Sequence, residues 1–506
     1  MTQSTTEPLS FSSANRRKID VNFDAGVVTN DAGLLLLREA DRQIGRIDAI
    51  NAAIPDPRSL ALTVHNHRTL IAQRILGIAG GYEDLNDHDR LRHDPLWQAA
   101  TDRPAVFGSA TLASSPPLCR FENRIDRAAN VRLAKILVEQ FVASFDAPPT
   151  ELIRDFDATD DLVHGGQENH FYHGYYRHDC FLPLYVTCGS RLLVAYLRPA
   201  RFGADHHAEA IVKLLVTRLR QSWPNVNLAI RGDGGYCRWK IVRWCDANDV
   251  RYIFGLPRNA VRERASTEWL EQVREANRLD GQSHRVFGTL SYAAKKWDRA
   301  RRVIVKAEYL RGENGTPSKS NPRYVVTNMA GDPQPMYEVH FCHRGDSENK
   351  IKEQQLGLFA DRTSCHAFDA NQFRVLLSAF AYVLVSHIRR TALVGTELEN
   401  AEVGTIRLRL FRVAGLVLQT ARRLVVSLSS HYPLQDVFCR VAMQLQTRPL
   451  AESSERRGNS SAATRRDFRT RVGAFHSQST ATAQNNKFRR RIEKSPSSNP
   501  QMKDPG

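Results

Sequence analysis

The order of β-rich and helical patterns between residues 149 and 258 constrains the fold more than any other feature of this chain. Short apolar runs predict strands, and amphipathic stretches between the later runs predict helices. The strands are expected at 152–157, 181–188, 192–197, 226–231 and 252–256, and the helices at 206–222 and 237–248. This β-β-β-α-β-α-β order predicts an α/β domain in which three strands pair in sequence and later strands alternate with helices.

That order is the one found in a ribonuclease-H-like catalytic core, and the region before it has a different character. Residues 1–148 show helical spacing and predict a mostly helical N-terminal region, with helices at 29–45, 60–79 and 130–145. Thr29 or Asn30 is expected to cap the first of these helices. DNA binding and core packing both suit this region, since its sequence shows no clear helix-turn-helix signature.

The sequence after the first part of the core, 149–258, divides into four segments by composition. Residues 259–340 contain three strand-like runs and predict a β-rich insertion. Residues 341–392 are predicted to complete the core with helices, and 393–450 form an apolar, arginine-rich segment in which 405–429 at first alternates like a strand. Residues 451–506 are rich in Ser, Thr, Asn, Gln and Arg and predict a disordered basic tail.

The charge of the chain points to a polyanionic partner. Lys and Arg outnumber Asp and Glu by 71 to 54, which gives a net charge of +17, and nucleic acid is the most common partner of such proteins. The tail accounts for part of this excess, with twelve basic and five acidic residues in 451–506. The eight cysteines include no CxxC pair, so neither a disulfide scaffold nor a zinc finger is indicated. No apolar run approaches the length of a membrane span, and we expect a cytoplasmic protein.

Three acidic residues occupy positions that such a core would bring together. Asp157 ends the first strand, Asp233 follows the fourth strand, and Glu348 lies in the first turn of a late helix. Because the first and fourth strands are neighbours in this kind of sheet, their terminal carboxylates are expected to lie side by side. Mg²⁺, or Mn²⁺, takes oxygen ligands of this type, and two such ions can promote an in-line displacement at phosphorus.

Each acid also has an ordinary explanation. An Asp at a strand end often forms a turn, and a Glu early in a helix complements the helix dipole. Asp155 is a rival because it lies on the same face of the strand as Asp157. Glu353 is a rival to Glu348, but it lies about 140° away around the helix, and we expect it to be solvated or paired with Lys350 or Lys352. The glycines around Asp233 are expected to let a ligand approach the backbone closely.

The residues around Glu348 carry a family resemblance. Phe341, Arg344, Glu348 and Gln355 follow the spacing of the Tyr-x2-Arg-x3-Glu-x6-Lys signature of DDE insertion-sequence transposases, with Phe in place of Tyr and Gln in place of Lys. Further motifs, from about residue 20 to 433, resemble the bacterial insertion sequence 1380 family: Asp157-Ala158-Thr159-Asp160-Asp161, His164-Gly165, Phe171-Tyr172-His173-Gly174-Tyr175-Tyr176, Leu182-Pro183-Leu184-Tyr185, Leu197-Arg198-Pro199-Ala200, Arg231-Gly232-Asp233 and Glu348-Asn349-Lys350-Ile351-Lys352-Glu353.

The resemblance implies a DNA transposase that binds terminal inverted repeats, cuts at the element ends and joins the freed 3′-hydroxyls to target DNA. It implies that Asp157, Asp233 and Glu348 are the catalytic, metal-binding triad. It also implies a bacterial, nucleoid-associated protein that acts on double-stranded DNA as a homodimer or larger assembly. Arg344 is then expected to contact a phosphate, and Gln355 or Lys352 to provide the contact made by the signature lysine.

Two further arginines are candidates for DNA binding on charge alone. Arg301 and Arg302 follow Lys295, Lys296 and Trp297, and such a stretch can follow a DNA backbone with an aromatic ring at hand. The alternative is a solvated basic strand edge, which proteins use against aggregation.

Two other functions stay open at this point. One is a related metal-dependent nuclease that cleaves DNA without strand transfer. The other is a DNA-binding relic whose catalysis has decayed, which the departures at Phe341 and Gln355 suggest and the retention of all three acids opposes.

Overall fold

A mixed β-sheet, with nine strands in the described part of the chain, lies at the centre of the fold. The computed structural model describes residues 8–103, 111–312, 318–420 and 422–447. The predicted tail, 451–506, lies outside these residues. No helix in the described ranges is long and apolar enough to cross a membrane.

The elements before Asp157 are short strands followed by helices: β1 (Leu9–Ala14), β2 (Arg17–Val21), β3 (Val28–Thr29), α1 (Leu34–Ile44), α2 (Arg46–Ala53), α3 (His67–Gly80), α4 (His88–Leu91), α5 (Pro95–Ala100), α6 (Ser115–Asn123) and α7 (Arg127–Ala143). The next elements supply the centre of the sheet: β4 (Glu151–Ala158), β5 (Asp161–Leu162), β6 (Phe171–His173), β7 (His178–Phe181), β8 (Leu184–Cys188), β9 (Arg191–Tyr196), α8 (Ala208–Ser222), β10 (Asn227–Gly232), α9 (Trp239–Ala247) and β11 (Arg251–Leu256).

The following elements extend the sheet: α10 (Ala260–Ala265), α11 (Thr267–Asp280), β12 (His284–Tyr292), β13 (Arg301–Leu310), β14 (Lys319–Ser320) and β15 (Arg323–Thr327). The last elements are mostly helical and include π-helical turns at Met336–Phe341, Glu353–Gly357 and Arg407–Phe411: α12 (Pro333–Pro335), α13 (Gly345–Lys352), α14 (Phe368–Thr391), α15 (Val403–Ile406), β16 (Gly415–Gln419), β17 (Leu424–Leu428) and α16 (Gln435–Thr447).

The strand order of the central sheet is β12-β13-β15-β11-β10-β4-β8-β9, with β14 paired to β13. Strand β4 runs parallel to β10 and antiparallel to β8, and β10 runs parallel to β11. The first three predicted strands therefore pair in sequence, as β4, β8 and β9, and the fourth, β10, lies on the other side of β4. This part of the predicted order is confirmed.

The segment 259–340 does not stand apart from this sheet. Strand β15 pairs with β11, and β13 and β12 follow it, so the strands of the segment widen the central sheet. The segment also contains α11, a helix of 14 residues that carries Trp269. This helix packs closely on the sheet, because a Cβ at Gly288 of β12 would lie 2.3 Å from the Trp269 ring. A larger residue at position 288 would clash with that ring.

Two hydrophobic cores support the sheet. One lies between the sheet and α8 and α9, where Val212, Leu215, Val216 and Leu219 of α8 are buried at helical spacing. The other surrounds α14, a helix of 24 residues that is buried along almost its whole length against α1, α3 and α7. The N-terminal helices thus pack into the same core as the helix that follows the candidate active site.

Three local expectations were wrong. Helix α1 begins at Leu34 and not near Thr29, whose hydroxyl donates to Asp94 at 2.7 Å while its backbone pairs with β16. The predicted helix 60–79 begins only at His67, where Asn66 accepts a hydrogen bond from the backbone of Thr69.

The third correction concerns the alternating segment that starts at 405. It is helical through Phe411 before the strands β16 and β17 begin. The buried guanidinium of Arg407 donates to the carbonyl of Ala79 at 3.0 Å and also to that of Gly357. These carbonyls belong to distant segments of the chain, so tertiary contacts favour helix where the local pattern favoured a strand.

Candidate active site

Two of the three predicted acids leave the sheet at the same edge. Gly232 of β10 pairs with Phe156 of β4, and the strands are parallel, so the next residues along each strand are Asp233 and Asp157. Asp233 is half-buried, and its Oδ1 accepts the backbone N–H of Gly235 at 2.9 Å. The predicted neighbourhood of these two carboxylates therefore follows from the parallel register.

Asp157 is almost buried, with 8% of its surface exposed. Burial raises the pKa of its carboxyl to about 7, against the opposing effect of Arg344 and with further upward contributions from Asp233 and Glu348. Asp233 and Glu348 therefore both lie close enough to act electrostatically on Asp157.

Glu348 approaches this edge from α13, and Arg344 lies between it and the sheet. The Arg344 Nη2 is 2.6 Å from Glu348 Oε1, and its Nη1 is 3.3 Å from Asp157 Oδ2. Glu348 is the more exposed of the two acids, at 46% of its side chain against 11% for Asp157. The guanidinium thus bridges a nearly buried carboxylate on the sheet and an exposed one on the helix.

Arg231 fixes the segment that leads into α13. It lies opposite Asp155 in the β4–β10 register and forms a two-pronged ion pair with it, with Nη2 2.9 Å from Asp155 Oδ2. Its remaining donors reach the carbonyls of His340 at 2.6 Å and His343 at 3.2 Å. A buried cation on the sheet therefore holds the turn just before Arg344, and Asp155 serves this pair and is not a free rival to Asp157.

Three more contacts hold the helix that carries Glu348. The hydroxyls of Thr187 on β8 and Ser347 on α13 lie 3.1 Å apart in a buried contact. Gln355 Nε2 donates to the carbonyl of Asp160 at 2.8 Å. Glu353 is buried and pairs with Arg389 of α14 at 2.7 Å, with Lys350 at 3.8 Å. The expected pairing of Glu353 with Lys350 is thus present, whereas the alternative of a solvated carboxylate is wrong because Glu353 is buried.

The sequence profile of the family described as transposase DDE domain group 1 matches residues 11–450. The chain belongs to this family. Among curated proteins, no sequence matches it significantly.

One similar solved structure is a cryo-EM structure of the piggyBac transposase synaptic complex with hairpin DNA. It aligns with 76% of this chain and 80% of its own at 10% sequence identity, and the TM-score is 0.38.

The donor set of this DDE transposase domain suits a hard divalent cation in its chemistry, since all three predicted ligands are carboxylates. Within the described residues, however, no three Asp, Glu, His or Cys side chains lie close enough to share one ion. The Arg344 guanidinium contacts two of the three carboxylates instead. An ion bound by Asp157 and Glu348 would therefore have to replace these contacts with Arg344.

Three of the residues predicted to contact DNA lie on or near α13, and the other two, Arg301 and Arg302, lie on β13. Arg344 contacts two of the acids just before α13, and the exposed Lys352 is the last residue of that helix. Gln355 Nε2 donates to the Asp160 carbonyl at 2.8 Å, and Gln355 Oε1 accepts from the Thr159 hydroxyl at 3.3 Å. The side chain therefore links the α13 region to the loop after β4. Its position suits a structural link better than the DNA contact that the signature suggested.

Arg301 and Arg302 do not fit the role that their charge suggested. Arg301 has 3% of its side chain exposed and pairs with Asp246 and Asp298, both at 2.8 Å. Arg302 donates to the carbonyls of Met329, at 2.8 Å, and Gly331. Both guanidinium groups are used within the protein, so neither the expected DNA contact nor the alternative of a solvated edge describes them.

The glycines around Asp233 also have a different role from the one expected. A Cβ at Gly232 would lie 3.1 Å from the Tyr236 ring, and one at Gly234 would lie 3.2 Å from Pro257. The space beside these glycines is filled by the protein, so they permit close packing of the Asp233 loop and not the approach of a ligand.

Arg231 is the functional residue that the sequence reasoning missed. Its signal was available, since Asp155 and Arg231 each precede a predicted catalytic acid by two residues. On parallel strands in register, this equal spacing places the two opposite each other.

Proposed function

We propose that this chain cuts DNA at the ends of a mobile element and joins the freed 3′-hydroxyls to target DNA, using Asp157, Asp233 and Glu348 as the catalytic acids. One observation carries the proposal: two acids leave adjacent parallel strands, and the helix with the third is fastened to the same edge by Arg231 and Thr187. Membership of the DDE transposase family supports the same activity.

We infer further that the core is ribonuclease-H-like and that the chain is of the insertion sequence 1380 type. The order β9-β8-β4-β10-β11 supports the first inference, since β8 runs antiparallel to both of its neighbours, β4 and β9, while β10 and β11 run parallel to β4. The motifs from Asp157 to Glu348 that resemble this type support the second.

The chemistry expected at this edge combines the acids with Arg344. Asp157, Asp233 and Glu348 would hold Mg²⁺, which when bound promotes attack on a phosphodiester and stabilises the leaving oxygen. Arg344 offers donors beside the same carboxylates and is placed to bind a non-bridging phosphate oxygen of the DNA. Asp157 must give up the proton that burial favours before it can act as a ligand.

The test is a cleavage assay on duplex DNA that carries the sequences flanking the coding region at both ends, with Mg²⁺ present. Asp233→Asn and Glu348→Gln are expected to abolish cleavage. Asp346→Asn is the matched control, because Asp346 is exposed on the same helix and loses the same charge. Cleavage by Asp233→Asn at the wild-type rate would show that the triad is wrong.

The same assay separates transposase from nuclease. Joined products on a second DNA duplex support strand transfer, whereas cleavage without them supports a nuclease. Assembly of two or more copies on the DNA stays a prediction, which sedimentation of the protein–DNA complex checks.

A further inference from the structure

A small β-sheet lies directly after Asp157 in the chain, and the proposed chemistry does not use it. Strands β5, β7 and β6 pair in that order, and the hairpin of β6 and β7 turns through Gly174, Tyr175, Tyr176 and Arg177. The turn is closed by the backbone N–H of Arg177, which donates to the carbonyl of His173 at 2.8 Å. We call residues 174–177 the hairpin tip.

The hairpin is tied to the loop that follows Asp157. His178 Nε2 lies 2.9 Å from Asp160 Oδ2, and the Asp160 carbonyl accepts from Gln355 at 2.8 Å. Burial is the main cause that raises the pKa of Tyr176 to about 12. The neighbouring Asp160, Tyr175 and Asp157 raise it further, in that order of effect. The tip is therefore held within electrostatic range of the candidate active site.

The two tyrosines of the tip differ in their surroundings. Tyr176 is half-buried, and its ring packs 5.0 Å from the His173 ring and 6.1 Å from that of His178. The rings of Tyr175 and Tyr176 pack edge to face with centroids 5.0 Å apart, and Tyr175 is itself 83% exposed. A supported inner ring thus holds an outer ring in solvent, and an aromatic side chain in that position is suited to a planar partner.

Two exposed arginines lie on or against the same small sheet. Arg177 is exposed within the tip, and the guanidinium of Arg201, also exposed, lies 4.9 Å from the ring of Phe171 on β6. Aromatic rings next to cations are the elements with which proteins bind single-stranded nucleic acid, because every base offers a flat face and every nucleotide a phosphate.

We propose that Tyr175 is a stacking platform for an unpaired nucleobase of the DNA beside the phosphate that is cut. The inference rests on the proposed function for the identity of the partner as DNA. The alternative occupant, a second copy of this chain packed on the exposed tyrosine, is a separate outcome of the test.

The test uses the full chain without divalent metal, so that binding is read without cleavage. The probe is a DNA duplex with a short single-stranded overhang that contains one 2-aminopurine, whose fluorescence falls when it stacks. Tyr175→Phe is expected to match the wild type, because the ring and not the hydroxyl makes the contact. Tyr175→Ala is expected to lose the quenching and to bind the overhang DNA about tenfold more weakly, with unchanged affinity for a blunt duplex.

Tyr172→Ala is the matched control. Tyr172 is 63% exposed on β6, but its side chain points to the opposite face from His173, which supports the tip. It is expected to behave as the wild type. Equal quenching by Tyr175→Ala and the wild type would overturn the proposal, and so would equal losses in the Tyr175→Ala and Tyr172→Ala variants.

Sedimentation of the free protein tests whether a second copy of the chain, and not DNA, packs on Tyr175. A change of oligomeric state in Tyr175→Ala without DNA would make the tip a protein contact and overturn the proposal. Thermal unfolding verifies that the variants are folded, and an unfolded Tyr175→Ala is replaced by Tyr175→Leu, which removes the aromatic face while keeping an apolar side chain. Because this assay needs no cleavage, a failure of the catalytic triad appears only in the Mg²⁺ assay on the flanking sequences.

Discussion

Arg231 and Asp155 form an ion pair across two adjacent parallel strands, each two residues before a candidate catalytic acid. The pair is nearly buried, with 8% and 4% of the side chains exposed. Because Arg231 also binds the carbonyls of His340 and His343, it connects the strand ends to the helix that carries Glu348.

This relationship predicts separate effects on stability and cleavage. Arg231→Met leaves Asp155 buried without its partner and is expected to reduce the free energy of unfolding by about 3 kcal/mol. Adding Asp155→Asn removes the unpaired charge and is expected to restore much of the stability. Cleavage is expected to stay low in the double variant, since the carbonyls before α13 still lack their donor.

Urea unfolding and the Mg²⁺ cleavage assay measure the two effects. Arg218→Met is the control, because its ion pair with Glu139 is partly exposed, at 30% and 49% of the side chains, and is expected to contribute less than about 1 kcal/mol. A double variant that cleaves like the wild type would show that the pair only contributes to packing.

Arg344 predicts opposite changes in metal affinity and cleavage. It contacts the carboxylates of Asp157 and Glu348 in the structure, so Arg344→Gln frees both ligands from a competing cation and is expected to bind Mn²⁺ several-fold more tightly in the absence of DNA. The same variant is expected to cleave DNA more slowly, since it loses the proposed phosphate contact. Mn²⁺ titration followed by electron paramagnetic resonance measures the first effect, with Arg362→Gln, whose ion pairs lie with Glu83 and Asp84, as control. An unchanged Mn²⁺ affinity would contradict the prediction.

The raised pKa of Asp157 predicts a pH-dependent loss of stability. In the unfolded chain this carboxyl ionises near pH 4, whereas burial raises its pKa in the folded protein to about 7. Between these values folding takes up a proton, so stability falls as pH rises and the penalty is complete above about pH 7. Asp157→Asn removes the penalty, and its gain in melting temperature over the wild type is expected to grow from about pH 5 to pH 8 without metal. A gain that is the same at all pH values would contradict this.

Arg154 predicts a stabilising substitution. It shares a face of β4 with the buried Leu152 and Phe156, and none of its three side-chain nitrogens has a hydrogen-bond partner among the described residues. Burial lowers its pKa to about 10. Arg154→Met replaces an uncompensated charge with an apolar chain of similar length and is expected to raise the free energy of unfolding by about 1–3 kcal/mol.

Arg74→Met is the matched comparison for Arg154. Arg74 is equally buried, but it pairs with Glu122 at 2.6 Å, so its loss is expected to destabilise the protein by about 3 kcal/mol. Urea unfolding measures the free energy of unfolding of both variants. Destabilisation of the same size in each would contradict the prediction that Arg154→Met stabilises the protein.

The strand order could be predicted because it depends on local patterns. The apolar runs of β4, β8, β9 and β10 and the glycine turn between β8 and β9 are visible within a few residues of each other. The segment around Arg407 could not be predicted in this way. Its alternating pattern suits a strand, and only the distant carbonyls of Ala79 and Gly357 favour the helical turn.

The sequence by itself determined which acids stand at strand ends and which helix carries the third, because strand and helix periods are local properties of the chain. Only the tertiary structure decided how the basic residues are used. Arg301 and Arg302 pair with carboxylates and carbonyls of the protein itself, whereas Arg344 reaches two of the acids. A charged side chain takes its role from the groups that the fold brings within reach, and these groups lie far away in the sequence.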